Sequence, residues 1–127
     1  MKIETTILKN LLQNEEYARK VLPFLNDEYF TENSDKIVFN QINNFILKYN
    51  SLPNKEALTI ELSDAKITEE DFKDSANLVT AISEDIQEFA DLTWLLDSTE
   101  KFCQDKAIYN AVVESISILD NPKSITD

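Results

Sequence analysis

The chain contains no glycine and no histidine, a single cysteine (Cys103) and a single methionine (Met1). Each absence excludes a chemistry. A P-loop, a GxGxxG turn and an EF-hand loop need backbone positions that glycine alone adopts readily, so none is present. A Ser-His-Asp or Cys-His pair and an ordinary zinc site need histidine. One cysteine makes no internal disulfide, and nothing points to a stapled secreted domain. No basic, apolar leader opens the chain and no apolar run approaches membrane-spanning length. The expectation is a soluble cytoplasmic protein, with no membrane partner, whose composition suits a binding or assembly module better than an enzyme.

What is present is enough for one core. The 127 residues are 43% hydrophobic, a single domain's worth. The net charge of −12 is uneven: residues 1–60 carry 7 basic and 8 acidic side chains, residues 61–127 carry 5 and 16. Such a field repels a phosphate backbone. Arg19-Lys20 is the only adjacent basic pair, and aromatic and basic residues are not interleaved as a single-strand platform requires. Direct DNA binding is therefore not expected.

The periodicity is helical nearly throughout, which predicts an all-α fold: a small helical bundle with a long C-terminal helix. Ile3, Ile7, Leu8, Leu11 and Leu12 form one helical face. Asn14 reads as the N-cap of a second, short helix that buries Tyr17, Ala18, Val21 and Leu22 and ends at Pro23. Residues 24–34 read as irregular, with a short turn at Asp27-Glu28-Tyr29-Phe30. Ser34 is the expected cap of a helix reaching Tyr49, with Val38, Ile42, Phe45 and Tyr49 as its stripe. Asn50 to Pro53 breaks the chain, and a short helix burying Ala57, Leu58 and Leu62 starts at Pro53-Asn54. Thr68 caps the next helix, with Asp71 at the reciprocal position of a capping box, one methylene short of the preferred glutamate. Phe72, Ala76, Val79 and Ile82 are its stripe. A looser acidic segment, Ser83 to Asp91, follows.

The last segment, Leu92 to Leu119, has neither proline nor glycine. Leu95, Phe102, Tyr109 and Ile116 recur every seven residues. A helix of that length spans roughly 40 Å, more than so small a domain covers along one helix. Its second half is apolar on more than one side, and a helix apolar all round must be covered all round. A second chain, or more of the same chain, is expected to pack there. The candidate interface residues are Trp94, Leu95, Phe102, Tyr109, Val112, Val113, Ile116 and Leu119. Trp94 suits either a partner anchor or a core residue locking the long helix to the globular part, and of the two the core is favoured.

The other chemistry-bearing groups have plain explanations. Glu69-Glu70-Asp71 with Asp74 surrounds a helix start, where carboxylates complement the dipole, so no metal site is expected. Asp27-Glu28 reads as a turn rather than an acid/base pair. Cys103 has Glu100 and Asp105 near it and nothing to lower its pKa; a half-buried packing role is expected. No catalytic residue and no cofactor-binding residue is assigned.

The order of elements is similar to a known family. Asp27-Glu28-Tyr29-Phe30, an amphipathic helix ending in Leu47-Lys48-Tyr49, and then Leu52-Pro53-Asn54-Lys55-Glu56-Ala57-Leu58 resemble the N-terminal domain of DnaB-type replicative DNA helicases. Trp94-Leu95-Leu96, Thr99-Glu100-Lys101-Phe102 and Ala107-Ile108-Tyr109-Asn110-Ala111 look most like the primase-associated helicases of T-even-type bacteriophages. The resemblance covers roughly residues 5–119. It implies a globular bundle (1–91), a long helix that is the first arm of a dimerisation hairpin (92–120), and the start of a turn or linker (121–127). It also implies a collar on a hexameric helicase ring inside a bacterial host cell, without catalytic activity of its own. The implied partners are other helicase subunits, primase and a helicase loader, with ATP and Mg held by a separate motor domain. The hairpin's second arm is expected beyond Asn121-Pro122, the chain then being a fragment of a longer helicase. The alternative expectation, from the acidic second half, is a free-standing acidic helical adaptor or inhibitor of a host protein.

Overall fold

A computed structural model describes residues 2–85 and 91–120. Among these residues the fold is all-α. The helices are α1 (Ile3–Gln13), α2 (Glu15–Val21), α3 (Asn33–Tyr49), α4 (Lys55–Asp64), α5 (Glu69–Glu84) and α6 (Leu92–Asp120), with two 3₁₀ turns, Leu22–Phe24 and Asp27–Tyr29.

Among the first five helices, three starts follow from side-chain oxygens that satisfy otherwise unpaired backbone donors. Asn14 Oδ1 accepts from the Tyr17 N–H at 3.1 Å, Asn54 Oδ1 from Ala57 at 2.7 Å, and Thr68 Oγ1 from Asp71 at 3.1 Å. The capping box at Thr68 is half formed, because among the described residues the shorter Asp71 side chain makes no return bond. Helix α3 departs from expectation. It starts at Asn33 after an extended Glu32 and has no side-chain cap. Ser34 lies inside the first turn, where Asp35 complements the dipole instead. Helix α5 also exceeds expectation, since Ser83 and Glu84 are still helical. Its last turn is tied to α1: Gln13 donates to the Ile82 carbonyl, and Lys9 pairs with Asp85 at 3.3 Å. The rest of the segment expected to be looser, residues 86–90, lies outside the described residues.

With no glycine available, α3 ends on asparagine. Asn50 sits in the left-handed region, at φ 54°, and its N–H donates to the Ile46 carbonyl at 2.8 Å. Asparagine tolerates this conformation better than other residues with a Cβ. Arg19 on α2 then grips the turn, its guanidinium donating to Asn50 Oδ1 at 3.0 Å and to the Asn50 carbonyl at 3.1 Å.

The core is one cluster. Ile7, Leu8 and Leu11 meet Val38, Phe39 and Ile42, Leu58 and Leu62, and Val79 and Ile82, with α5 packed against α1, α3 and α4. Helix α6 lies to one side, docked chiefly on α2 and the Asp27–Tyr29 turn. Leu95 and Phe102 enter the core from it. Phe30 joins the parts, with ring centroids 5.2 Å from Phe39 and 5.7 Å from Phe102. The stripe expected on α3 stops short of its end: Tyr49 is exposed, its ring tilted against Phe45 with centroids 4.7 Å apart, beside Lys48.

Candidate functional site

Two stretches of α6 differ in what surrounds them. The first is anchored. Asp91 caps the helix by accepting from the Trp94 N–H at 3.0 Å. Leu95 and Phe102 are buried, and between them Thr99, 2% exposed, meets Tyr17 on α2. The Tyr17 hydroxyl and Thr99 Oγ1 lie 2.7 Å apart, and Thr99 Oγ1 donates to the Leu95 carbonyl at 2.7 Å. That second bond uses the threonine proton, so Tyr17 donates to Thr99. Burial pushes the Tyr17 phenol up to about 12.

The outermost tethers are polar. Lys106 Nζ donates to Thr31 Oγ1 at 3.3 Å, and Asn110 Nδ2 donates to the Glu28 carbonyl at 3.1 Å. From Ala111 to Leu119 every residue is exposed, Leu119 at 75%. Between Ala107 and Leu119 the only charged residue is Glu114. Water therefore meets Ile108, Tyr109, Val112, Val113, Ile116 and Leu119 along neighbouring sides of the helix, and Ile118 on the side of Glu114. A contiguous apolar surface of this kind marks an interaction site.

This surface is not simply the core stripe prolonged. At about 100° per residue, Leu95, Thr99, Phe102 and Lys106 face the bundle along one line. Ile108, Val112, Ile116 and Leu119 centre roughly a quarter turn away, Tyr109 lies between the two, and Val113 prolongs the bundle-facing line beyond the bundle. The seven-residue repeat thus crosses from one environment to another: Leu95 and Phe102 are core, while Tyr109 and Ile116 face solvent.

The expected site residues divide accordingly. Tyr109, Val112, Val113, Ile116 and Leu119 lie together on the exposed stretch. Leu95 and Phe102, expected at an interface, are instead enclosed by the chain's own bundle, because α2 and the Asp27–Tyr29 turn cover that part of α6. Trp94, for which the core was favoured, is 52% exposed. It follows the cap in the first turn and faces away from the bundle, on the same side of α6 as Val112.

A feature the residue pattern did not reveal lies on the other flank of α6. A groove of about 570 Å³ runs between α6 and the α2 end, with Val21, Phe24, Tyr29, Leu96, Cys103 and Ala107 among its walls. Phe24 is 73% exposed at its mouth. An aromatic directly after a helix-ending proline has no periodic neighbour, so only the sequence Pro23-Phe24 itself hinted at it. Cys103 is half-buried, and burial pushes its thiol up, so it is a weak nucleophile. Among the described residues no group of three or more histidine, cysteine, aspartate or glutamate side chains is arranged to hold a metal ion. Asp27 accepts from Asn40 Nδ2 at 3.1 Å and so fixes its turn to α3. No helix among the described residues is long and apolar enough to cross a membrane.

No family model matches the chain. Among curated proteins it is similar to a DnaB-like replicative helicase of Enterobacteria phage T4, with 30% identity over 115 residues. The match covers 91% of this chain and 24% of that protein, within its N-terminal part. The chain thus spans about a quarter of the length of the curated relative it matches. The resemblance to the N-terminal domain of a phage DnaB-type helicase, read from the motif order, is borne out by this likeness.

Proposed function

We propose that this chain is the N-terminal collar domain of a phage replicative helicase, acting in ring assembly and in docking primase rather than in catalysis. The likeness to the N-terminal part of the phage T4 protein supports the helicase context. The observation that carries the assembly role is the end of α6, where nine successive residues, 111–119, are exposed and only one of them is charged. Burying such a face against another subunit removes its apolar area from water, the main driving force for protein association. In this reading the domain holds no nucleotide or metal, and ATP and Mg belong to a motor elsewhere in the polypeptide. Primase and a helicase loader dock on the collar that the assembled domains form.

The test is light scattering over a concentration series, from micromolar to millimolar, on the wild type and on a Tyr109→Asp, Val113→Asp double variant. The wild type is expected to gain mass with concentration. The variant is expected to associate at least tenfold more weakly with unchanged helix content. Monomeric wild type throughout contradicts the assembly role, and loss of helix in the variant returns these residues to the fold. Co-sedimentation with the primase of the same phage tests the docking role in the same material.

A further inference from the structure

Trp94 is the only tryptophan of the chain, and half of it is in water at the root of α6. Tryptophan is among the residue types most enriched where proteins grip one another. The setting of this one is acidic. Between Lys73 and Lys101 the chain has seven acidic residues and no lysine or arginine.

Several of those charges are engaged or face elsewhere. Glu84 pairs with Lys55 at 3.1 Å, and Asp85 pairs with Lys9 at 3.3 Å. Glu100 accepts from Gln104 at 3.3 Å and lies on the groove side of α6. Asp91 and Asp97 are exposed and flank Trp94. Asp91 Oδ2 accepts from the Trp94 N–H at 3.0 Å, which pins its carboxylate beside that residue. Asp97 follows one turn later, about 60° round the helix from Trp94, so the two side chains share a side of α6. The result is an indole between two carboxylates. Lys101 lies near the same line but about 10 Å further along the axis, so it bounds this ledge without filling it.

Charge decides what the ledge fits. Residues 61–127 carry 5 basic and 16 acidic side chains, a field that draws cations and repels a nucleic-acid strand. At contact a cation meets the two groups that hold it best, a π face and a carboxylate. Arginine uses both together, because its planar guanidinium stacks on a ring while its edge donates to carboxylate oxygens. A second copy of this chain has little to offer here. Its one arginine, Arg19, is committed to Glu15 and Asn50 within the bundle, and its own ledge is acidic.

We propose that the Trp94 ledge is the docking point for a basic, arginine-bearing segment of a partner protein, with a guanidinium seated on the indole between Asp91 and Asp97. The inference rests on the docking part of the reading above and deepens it, by naming the surface of this domain that a partner grips and the chemistry it brings.

Trp94 reports on its own ledge, since no other residue gives tryptophan fluorescence. The probe is a synthetic hexapeptide of alternating leucine and arginine, set against the same peptide with citrulline, which keeps the shape and loses the charge. At about 0.15 M salt, where exposed charges are screened beyond roughly 8 Å, the arginine peptide is expected to change the Trp94 emission saturably. It is expected to bind roughly tenfold more tightly than the citrulline peptide. Asp97→Asn is expected to weaken it roughly threefold, whereas Asp74→Asn, which removes the same charge from α5, leaves it unchanged. Trp94→Leu, followed by the anisotropy of a fluorescein-labelled peptide, is expected to weaken it roughly fivefold with unchanged helix content, and Trp94→Phe to restore part of the loss. Co-sedimentation with the primase of the same phage is expected to fall in the same order across these variants. If citrulline binds as well as arginine, or Asp74→Asn acts as strongly as Asp97→Asn, the ledge is no cation site and the inference falls while the docking reading stands. Primase that binds the wild type and Trp94→Leu alike docks on another surface, and this also overturns the inference. Primase that never binds the wild type overturns the docking reading, and the peptide titration then decides the ledge.

Discussion

Tyr17 and Thr99 are 82 positions apart and share a buried hydrogen bond of 2.7 Å, the polar bond at the centre of the contact between α6 and the bundle. Thr99 passes its own proton to the Leu95 carbonyl, so the tyrosine hydroxyl is the donor. The two sides of this bond are therefore unequal. Tyr17→Phe removes a donor and leaves Thr99 still bonded to its helix, for an expected loss of about 1 kcal/mol. Thr99→Val leaves the tyrosine hydroxyl buried without a partner, for an expected loss of about 2 kcal/mol or more. Urea unfolding of the two variants checks the order, and equal losses would contradict the donor assignment.

Raising the pH probes the same bond. Burial holds the Tyr17 phenol at about 12, above the ordinary value of 10. The folded state therefore favours the neutral phenol. The stabilisation is fully present below about pH 10 and is lost as the pH rises toward 12, with a limiting slope of about 1.4 kcal/mol per pH unit from this group. Tyr17→Phe is expected to remove that part of the alkaline slope, measured by unfolding at pH 9 to 11.5.

The heptad along α6 divides into fold and surface. Leu95→Ala and Phe102→Ala are expected to cost about 2–5 kcal/mol each, because both side chains are enclosed by the core. Val112→Ala and Ile116→Ala are expected to lie within about 0.5 kcal/mol of the wild type in dilute solution, since neither has core neighbours to lose. Thermal unfolding at low protein concentration distinguishes the two groups.

This division was only half legible from the residue pattern. The pattern gave the length of α6, its apolar second half, the helix start at Pro53-Asn54 and the caps Asn14 and Thr68, because these depend on local chemistry within a turn or two. It did not show where cover ends. Leu95 and Ile116 hold equivalent places in one repeat, and what separates them is that the bundle stops near Asn110, a tertiary fact. Trp94 shows the same limit: its size favours a core residue over the partner anchor that it also suits, but its angle on the helix turns it from the bundle. The groove beside Phe24 needs α2 and α6 to be placed against each other, and the Tyr17–Thr99 bond joins residues far apart in the chain. Neither leaves a periodic trace.

Asn50 tests what the missing glycines imply. Its left-handed backbone is held by two hydrogen bonds from Arg19. Asn50→Ala is expected to cost about 1–2 kcal/mol, the penalty for a Cβ in that conformation plus the lost side-chain bond. Asn50→Gly keeps the backbone geometry at no steric cost and is expected to lie within about 0.5 kcal/mol of the wild type. Chemical denaturation of the pair measures the difference.

The central claim is that one helix serves two purposes, its first half belonging to the fold and its end to assembly. Amide hydrogen exchange, read by mass spectrometry at low and high micromolar protein, tests it most directly. The account predicts that residues 95–106 are protected equally at both concentrations, while residues 111–119 exchange fast when dilute and become at least tenfold more protected when concentrated. Protection of 111–119 that is independent of concentration would contradict it.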